Sequence, residues 1–303
     1  MSTASAAAVG MQAYRAPSLF QPHRARQALR DAHEGKITPL LGLFLAIPSV
    51  AMVRLVAPFG FDMVWIDVEH SACNVETMTS MVHEISFLSE GKTIPLVRIA
   101  GHDHAAIGHA LDAGASIVLP QVDTVEQAKH IVSAAKFGRR GTRSAPPFRL
   151  LPGLTDMPFD PSQSIHGNLN DQAAIIIQIE SLEGINNLDA ILTECPEIDA
   201  VFLGMLDCRV SMGMGSGSMM GEEPEWLEAV ATYEAALDKH DKPRSGIVYG
   251  PAMRHLHKEK SLMFVSADAF ALMGMVGELA EARSIFPKLE SKKVKVSENE
   301  ETA

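Results

Sequence analysis

The apolar positions of this chain fall in two alternating rhythms. Short continuous apolar runs occupy Leu40–Ala46, Phe61–Asp67, Ile94–Ile99, Ser116–Leu119, 174–179, 200–204, Ser245–Val248 and Met263–Ser266. Continuous rather than alternating character predicts strands buried on both faces. Helical spacing fills the intervals, over 48–56, Val75–Leu88, Asp103–Asp112, Thr124–Lys136, 182–193, 224–239, 251–259 and 268–285. Thr124 and Gln127 form a capping-box pattern at one of these helix starts. Residues 22–35 add an amphipathic helix ahead of the first strand. The alternation implies parallel strands joined by crossover helices. Eight such units over about 245 residues predict an α/β fold, a (β/α)8 TIM barrel with an N-terminal helix. A doubly wound sheet is the alternative, but the Gly-rich fingerprint expected after an early strand is missing. The glycines of GMGSGS at 213–218 follow no strand directly.

The barrel is expected over residues 21–286. Residues 1–30 carry Arg15, Arg24, Arg26 and Arg30 but no Asp or Glu, and residues 1–20 read as a flexible arm. Residues 287–303, PKLESKKVKVSENEETA, read as a disordered charged tail. Phe137–Asp171 is long and irregular, of the kind that is usually functional or disordered. The net charge of −11 argues against nucleic acid or an anionic membrane surface as partner. No apolar run approaches the ~20 residues of a membrane helix. Cys73, Cys195 and Cys208 cannot form a fully paired framework, which suits a reducing cytoplasm. The acid-free N-terminus bears a faint likeness to a mitochondrial transit segment.

Chemistry concentrates at the predicted C-terminal strand ends, where barrel enzymes carry their sites. Gln178 and Glu180 share a face at the end of one strand, and Asp207 follows the next. On that stretch alone Glu180 reads equally well as a helix cap and Asp207 as a turn residue. Asp67, Glu69, His70 and Arg98 fall at the same end and turn the pair into a candidate catalytic mouth. Two carboxylates without a Cys or His set suit a hard divalent cation held partly by water and substrate oxygens. Acid/base glycoside chemistry is the other use of such a pair. Aromatic sugar platforms are scarce, at 6% Phe, Trp and Tyr. His102 and His104 are poorly spaced to share a metal on a helix, and Cys73 reads as a buried thiol.

Six ordered blocks carry a resemblance: GFDMVWIDVEH (60–70), PLVRIA (95–100), ALDAGA (110–115), LPQVDTVEQA (119–128), IIQIES (176–181) and FLGMLD (202–207). From Leu40 to Ile285 the chain resembles the HpcH/HpaI family of class II pyruvate-dependent aldolases, and within it the fungal macrophomate synthase-like members. The resemblance implies that Glu180 and Asp207 bind a divalent metal, Mg²⁺ first, with Mn²⁺ or Co²⁺ as alternatives. It implies that Gln178 contacts substrate and that the Leu206–Asp207 backbone receives the pyruvate carboxylate. Arg98 would hold the pyruvate oxygen, His70 would act as base, and Asp112 would orient His70. The implied reaction cleaves or forms a C–C bond of a 2-oxo-4-hydroxy acid through a metal-stabilised pyruvate enolate. An oxaloacetate-decarboxylating C–C bond-former of fungal secondary metabolism is an alternative, and a degenerate barrel acting as a binding protein is a third reading. The implied assembly is a homo-oligomer, a hexamer built as a trimer of dimers, with the last helix on a partner. Gly204-Met205-Leu206-Asp207 stands where the family has Gly-Pro-x-Asp, and Gln121 where macrophomate synthase-like members have histidine.

Overall fold

The computed structural model describes residues 10–215, 221–250, 253 and 260–286. Its strands are β1 (Leu40–Leu45), β2 (Met63–Asp67), β3 (Ile94–Arg98), β4 (Ser116–Leu119), β5 (Ile175–Ile179), β6 (Ala200–Leu203), β7 (Arg244–Ile247) and β8 (Leu262–Ala267). They form a closed barrel in sequence order, with β1 pairing in parallel to both β2 and β8. Its helices are α1 (Ala25–His33), α2 (Val50–Val56), α3 (Val75–Leu88), α4 (His104–Asp112) and α5 (Val125–Ala135). They continue as α6 (Ile165–Gln172), α7 (Leu182–Glu194), α8 (Met205–Ser211), α9 (Pro224–Lys239) and α10 (Asp268–Ile285). The expected TIM barrel is therefore the observed one.

Strand alternation explains why the runs are continuously apolar. Val64, Ile66, Val97 and Ile177 pack outward with the helices, while Met63, Trp65, Leu96, Ile176 and Phe202 fill the interior. Trp65 is the hub of that interior, with the rings of Phe44, Phe202 and Phe264 centred 5.3, 5.4 and 5.0 Å from its own. Gly42 makes room for this cluster, since a Cβ there would lie 2.6 Å from the Phe264 ring. The Thr124–Gln127 capping box is present.

The lower end of the barrel, where the strands begin, is closed by the N-terminal part of the chain. Ala25, Ala28 and Leu29 of α1 join the interior cluster, and Arg26 Nε reaches Asp199 Oδ1 at 2.6 Å just before β6. The expected flexible arm is corrected here for residues 10–20. Tyr14 and Phe20 are buried, and Phe20 packs with Phe137, Leu150 and Leu169. Residues 1–9 and the tail 287–303 lie outside the described residues, as does most of the predicted helix 251–259. The irregular segment 137–171 packs on this lower end, because α5 has carried the chain back from the mouth. Within it α6 forms, capped by Ser164. The three cysteines are buried and unpaired, and no described helix is long and apolar enough to cross a membrane.

Lys136, at the end of α5, is fully buried and donates to the carbonyl of Asn170. Burial, reinforced by the Arg26 charge, pushes its ammonium down to about 7. In the unfolded chain it returns to about 10.4. Between roughly pH 7 and 10 the unfolded state thus holds the extra proton, and this group makes stability rise with pH. Its penalty is fully present below pH 7. Arg26 Nη1 also donates to Asn170 O at 3.3 Å, so Lys136→Met leaves that carbonyl partnered. We expect this variant to be more stable at pH 7 by about 1 kcal/mol or more, with a flatter pH dependence. Urea denaturation at pH 7 and pH 9 checks both; equal or lower stability at pH 7 rules the penalty out.

Candidate active site

The mouth of the barrel is built from strand ends. Asp67 closes β2, Arg98 closes β3, Gln178 and Glu180 end β5, and Gly204 leads from β6 into α8 with Asp207 in its first turn. Arg98, Gln178, Glu180, Leu206, Asp207 and His70 line one cavity of about 320 Å³, together with Phe44, Trp65, Phe202, Gly204, Met205, Ile247, Tyr249 and Phe270.

A one-way chain of hydrogen bonds runs across the floor. Arg98 donates through Nε and Nη2 to the two oxygens of Asp67, at 2.8 and 2.7 Å. Its Nε is also 3.2 Å from Glu69 Oε2, and its Nη1 reaches Gln178 Oε1 at 3.5 Å. Gln178 Nε2 then donates to Glu180 Oε1 at 3.0 Å. The second oxygen of Glu180 accepts the backbone N–H of Gln121 at 2.9 Å. Gln121 adopts φ +50°, a left-handed conformation that strains a non-glycine residue by about 1 kcal/mol or more and persists only where the surroundings enforce it. Asp67 is fixed in turn by the N–H of Glu69 at 3.1 Å.

Burial pushes the Glu180 carboxyl up to about 7, with the charges of Asp207 and Glu69 adding to it against the pull of Gln121 N–H and Arg98. Burial likewise raises Glu69, helped by Asp67 and Asp207. Asp67, Glu69 and Glu180 thus gather around the Arg98 guanidinium, which is already engaged by Asp67, and Asp207 lines the same cavity. The mouth holds surplus negative charge, and this is the environment a cation would relieve. Among the described residues no group of three or more His, Cys, Asp or Glu side chains is arranged to hold a metal ion. Glu180 and Asp207 are a carboxylate pair with room beside it, which fits a hard divalent ion completed by water and substrate oxygens and does not fit a zinc cage.

Gly204 is required by close approach. A Cβ at this position would lie 2.5 Å from both Cγ and Oε1 of Glu180. The glycine also offers no side-chain cap to α8, whose first N–H groups are left without helical partners.

His70 stands at the rim, its side chain 68% exposed and its Nε2 3.6 Å from Glu69 Oε2. Within one chain Asp112 does not join the site and does not meet His70. It ends α4, which has returned to the lower end of the barrel, and its Oδ1 accepts from Arg143 Nη2 at 2.8 Å. Asp67 and Glu69, placed at the mouth by strand position but given no role, prove to be the ion-pair partners of Arg98. The aromatic wall was not foreseen, although Trp65 lies two residues from Asp67 and so shares its inward face.

A family model described as HpcH/HpaI aldolase/citrate lyase matches residues 40–238. The 2-keto-3-deoxy-L-rhamnonate aldolase of Salmonella gallinarum is 31% identical over 177 residues, which are 57% of this chain and 62% of that protein. The enzyme of the same name from Klebsiella pneumoniae subsp. pneumoniae is 32% identical over the same shares. The matched stretch thus spans less than two thirds of these curated relatives. Among solved structures, macrophomate synthase is 33% identical with a TM-score of 0.81, covering 90% of this chain and 93% of its own. An HpcH/HpaI aldolase/citrate lyase family protein from Burkholderia cenocepacia J2315 is 26% identical with a TM-score of 0.72, covering 86% and 98%. Barrel, carboxylate mouth and family match agree: the chain belongs to the HpcH/HpaI aldolase/citrate lyase family.

Proposed function

We propose that the protein is a divalent-metal-dependent lyase that splits the C3–C4 bond of a 2-oxo-4-hydroxy acid to release pyruvate, and forms that bond in reverse. The supporting observation is the directed chain from Arg98 through Gln178 to Glu180, beside Asp207. Glu180 and Asp207 would hold the cation, Mg²⁺ or in its place Mn²⁺ or Co²⁺. When bound, the ion supplies Lewis-acid stabilisation of charge on the 2-oxo oxygen, worth several kcal/mol.

The chain's own groups do the rest. Arg98 directs an N–H at the same oxygen, in a buried site where such a bond counts for more than in water. Asp67 fixes the guanidinium and Gln178 spaces it from Glu180. The N–H groups of Leu206 and Asp207 receive the substrate carboxylate at the open end of α8. His70 takes the proton from the C4 hydroxyl as the bond breaks, and its rim position lets it return that proton through solvent. Given where Asp112 lies, a link from it to His70 exists only between two copies of the chain.

Assembly into a homo-oligomer, a hexamer by resemblance, is supported by α10. Asp268 is its one buried residue, anchored by accepting the N–H groups of Ala46 and Ile47 at 2.9 Å each. Met273, Met275, Val276 and Leu279 stand more than half exposed along it. A helix this apolar needs a cover, and a second copy supplies one.

A second reading, an oxaloacetate decarboxylase that uses the resulting enolate to form C–C bonds, is supported by the likeness to macrophomate synthase. Decarboxylation has no hydroxyl proton to remove, so His70→Ala separates the two. We expect this variant to lose about 10²-fold or more in aldol cleavage and to keep oxaloacetate decarboxylation within about tenfold. Pyruvate release with Mg²⁺, with and without EDTA, measures both. Equal loss of the two activities removes the role given to His70, and turnover indifferent to EDTA removes the metal.

A further inference from the structure

The two halves of a 2-oxo-4-hydroxy acid must lie in different parts of the mouth, and the barrel divides that mouth in two. The polar groups arise on one arc of the ring: Asp67, Arg98, Gln178, Glu180 and Asp207, from β2 through β6. The opposite arc, β7 through β8 to β1, presents Ile247, Tyr249, Phe270 and Phe44 to the same cavity. Trp65 lies between the arcs, with the Arg98 guanidinium 5.4 Å above its ring and 5.6 Å from that of Phe44. Phe270 stacks edge-on to Tyr249 at 4.8 Å, forming a wall where α10 leaves β8.

We infer that the half of the substrate released as aldehyde is apolar and flat, an aryl or unsaturated ring, rather than a polyhydroxylated sugar chain. This rests on the aldolase reading above and names the substrate class of that site. The pyruvate half is claimed by Arg98, Glu180, Asp207 and the start of α8, so the carbon beyond C4 faces the aromatic arc. Among the described lining residues, that arc offers the Tyr249 hydroxyl as its side-chain polar group, and Trp65 beside it adds a buried, unpartnered indole N–H. A chain of three hydroxyls would leave most of them desolvated without partners, whereas a ring would be enclosed by aromatic faces. The cavity, about 320 Å³, is at the small end for such ligands and leaves little space for the water that could bridge sugar hydroxyls.

The balanced reaction is R–CH(OH)–CH₂–CO–COO⁻ giving R–CHO and pyruvate. The hydroxyl proton goes to the base, the C3–C4 pair becomes the enolate, and protonation at C3 yields the methyl group. We expect at least tenfold higher kcat/KM for 4-hydroxy-2-oxo-4-phenylbutanoate than for 2-keto-3-deoxy-D-gluconate, which carries hydroxyls on C4, C5 and C6, with Mg²⁺ and the full chain. Phe270→Ala should cut that preference at least threefold. Deuterium exchange into the pyruvate methyl group, followed by NMR in the same preparation, reads enolate formation without any aldehyde. Exchange together with a preference for the sugar acid overturns this inference and leaves the aldolase reading standing. No exchange in the presence of Mg²⁺ or Mn²⁺ overturns both. An unchanged preference in Phe270→Ala, alongside a wild-type preference for the phenyl substrate, removes the aromatic arc as its cause.

Discussion

A Glu180→Gln variant loses metal-dependent pyruvate release by a factor on the order of 10³ or more, while its melting temperature stays within about 5 °C of the wild type. The change is nearly isosteric, so the effect comes from charge and hydrogen-bond direction. Glu180 accepts at both oxygens, from Gln178 Nε2 and from the N–H of Gln121. An amide accepts at one end only. Its NH₂ must then face either the Gln121 N–H or the Gln178 NH₂. Turning the Gln178 amide to escape only moves the conflict along, because its NH₂ would then point at Arg98 Nη1. On the proposed mechanism, the cation's ligand and the alignment of Arg98 are then lost together. Isothermal titration with Mn²⁺ and coupled pyruvate assays test this. A variant that binds Mn²⁺ and turns over like the wild type rules out Glu180 as a ligand.

Arg98 gives the second large effect, and here stability and activity can be pulled apart. Arg98→Lys keeps the charge but cannot span both Asp67 oxygens and reach Gln178, so we expect kcat to fall by about 10²–10³. Arg98→Met strands Asp67, which is 2% exposed, and should cost about 3–5 kcal/mol of stability. Adding Asp67→Asn removes the stranded charge. The double variant should regain much of the stability and none of the activity. Chemical denaturation and pyruvate release, measured on all three, decide the matter. Full activity in Arg98→Lys excludes the directed guanidinium contact, and activity recovered in the double variant makes the ion pair merely structural.

The barrel was readable because its strands bury both faces. Val64 and Ile66 meet helices while Met63 and Trp65 meet the interior, so the run stays apolar and its boundaries stand out. The mouth followed from strand ends alone, which is why Arg98, Gln178, Glu180 and Asp207 converge as expected. Helix α8 was not readable. It has seven residues and no capping side chain, and Arg209 ties it to Glu223 at 2.8 Å across a Met/Gly/Ser stretch that looks like loop. The lower-end position of Asp112 was legible, because a helix that follows a barrel strand returns to the end where the next strand begins; its link to His70 came from the resemblance alone. The order of residues 10–20 depends on Tyr14 and Phe20, anchors too few to make a pattern. A low aromatic content of 6% concealed that the rings are concentrated at one place, the interior around Trp65.

Gly204 also limits how this mouth can be remodelled. Any side chain there would collide with Glu180, so the position is closed to drift and to laboratory selection alike. Met205, where the chain departs from Gly-Pro-x-Asp, and Leu206, at the variable position of that pattern, have side chains partly or well exposed at the cavity edge. New substrate ranges in this scaffold should therefore be sought by randomising 205 and 206 around an untouched glycine. A library that opens 204 as well would consist mostly of inactive members.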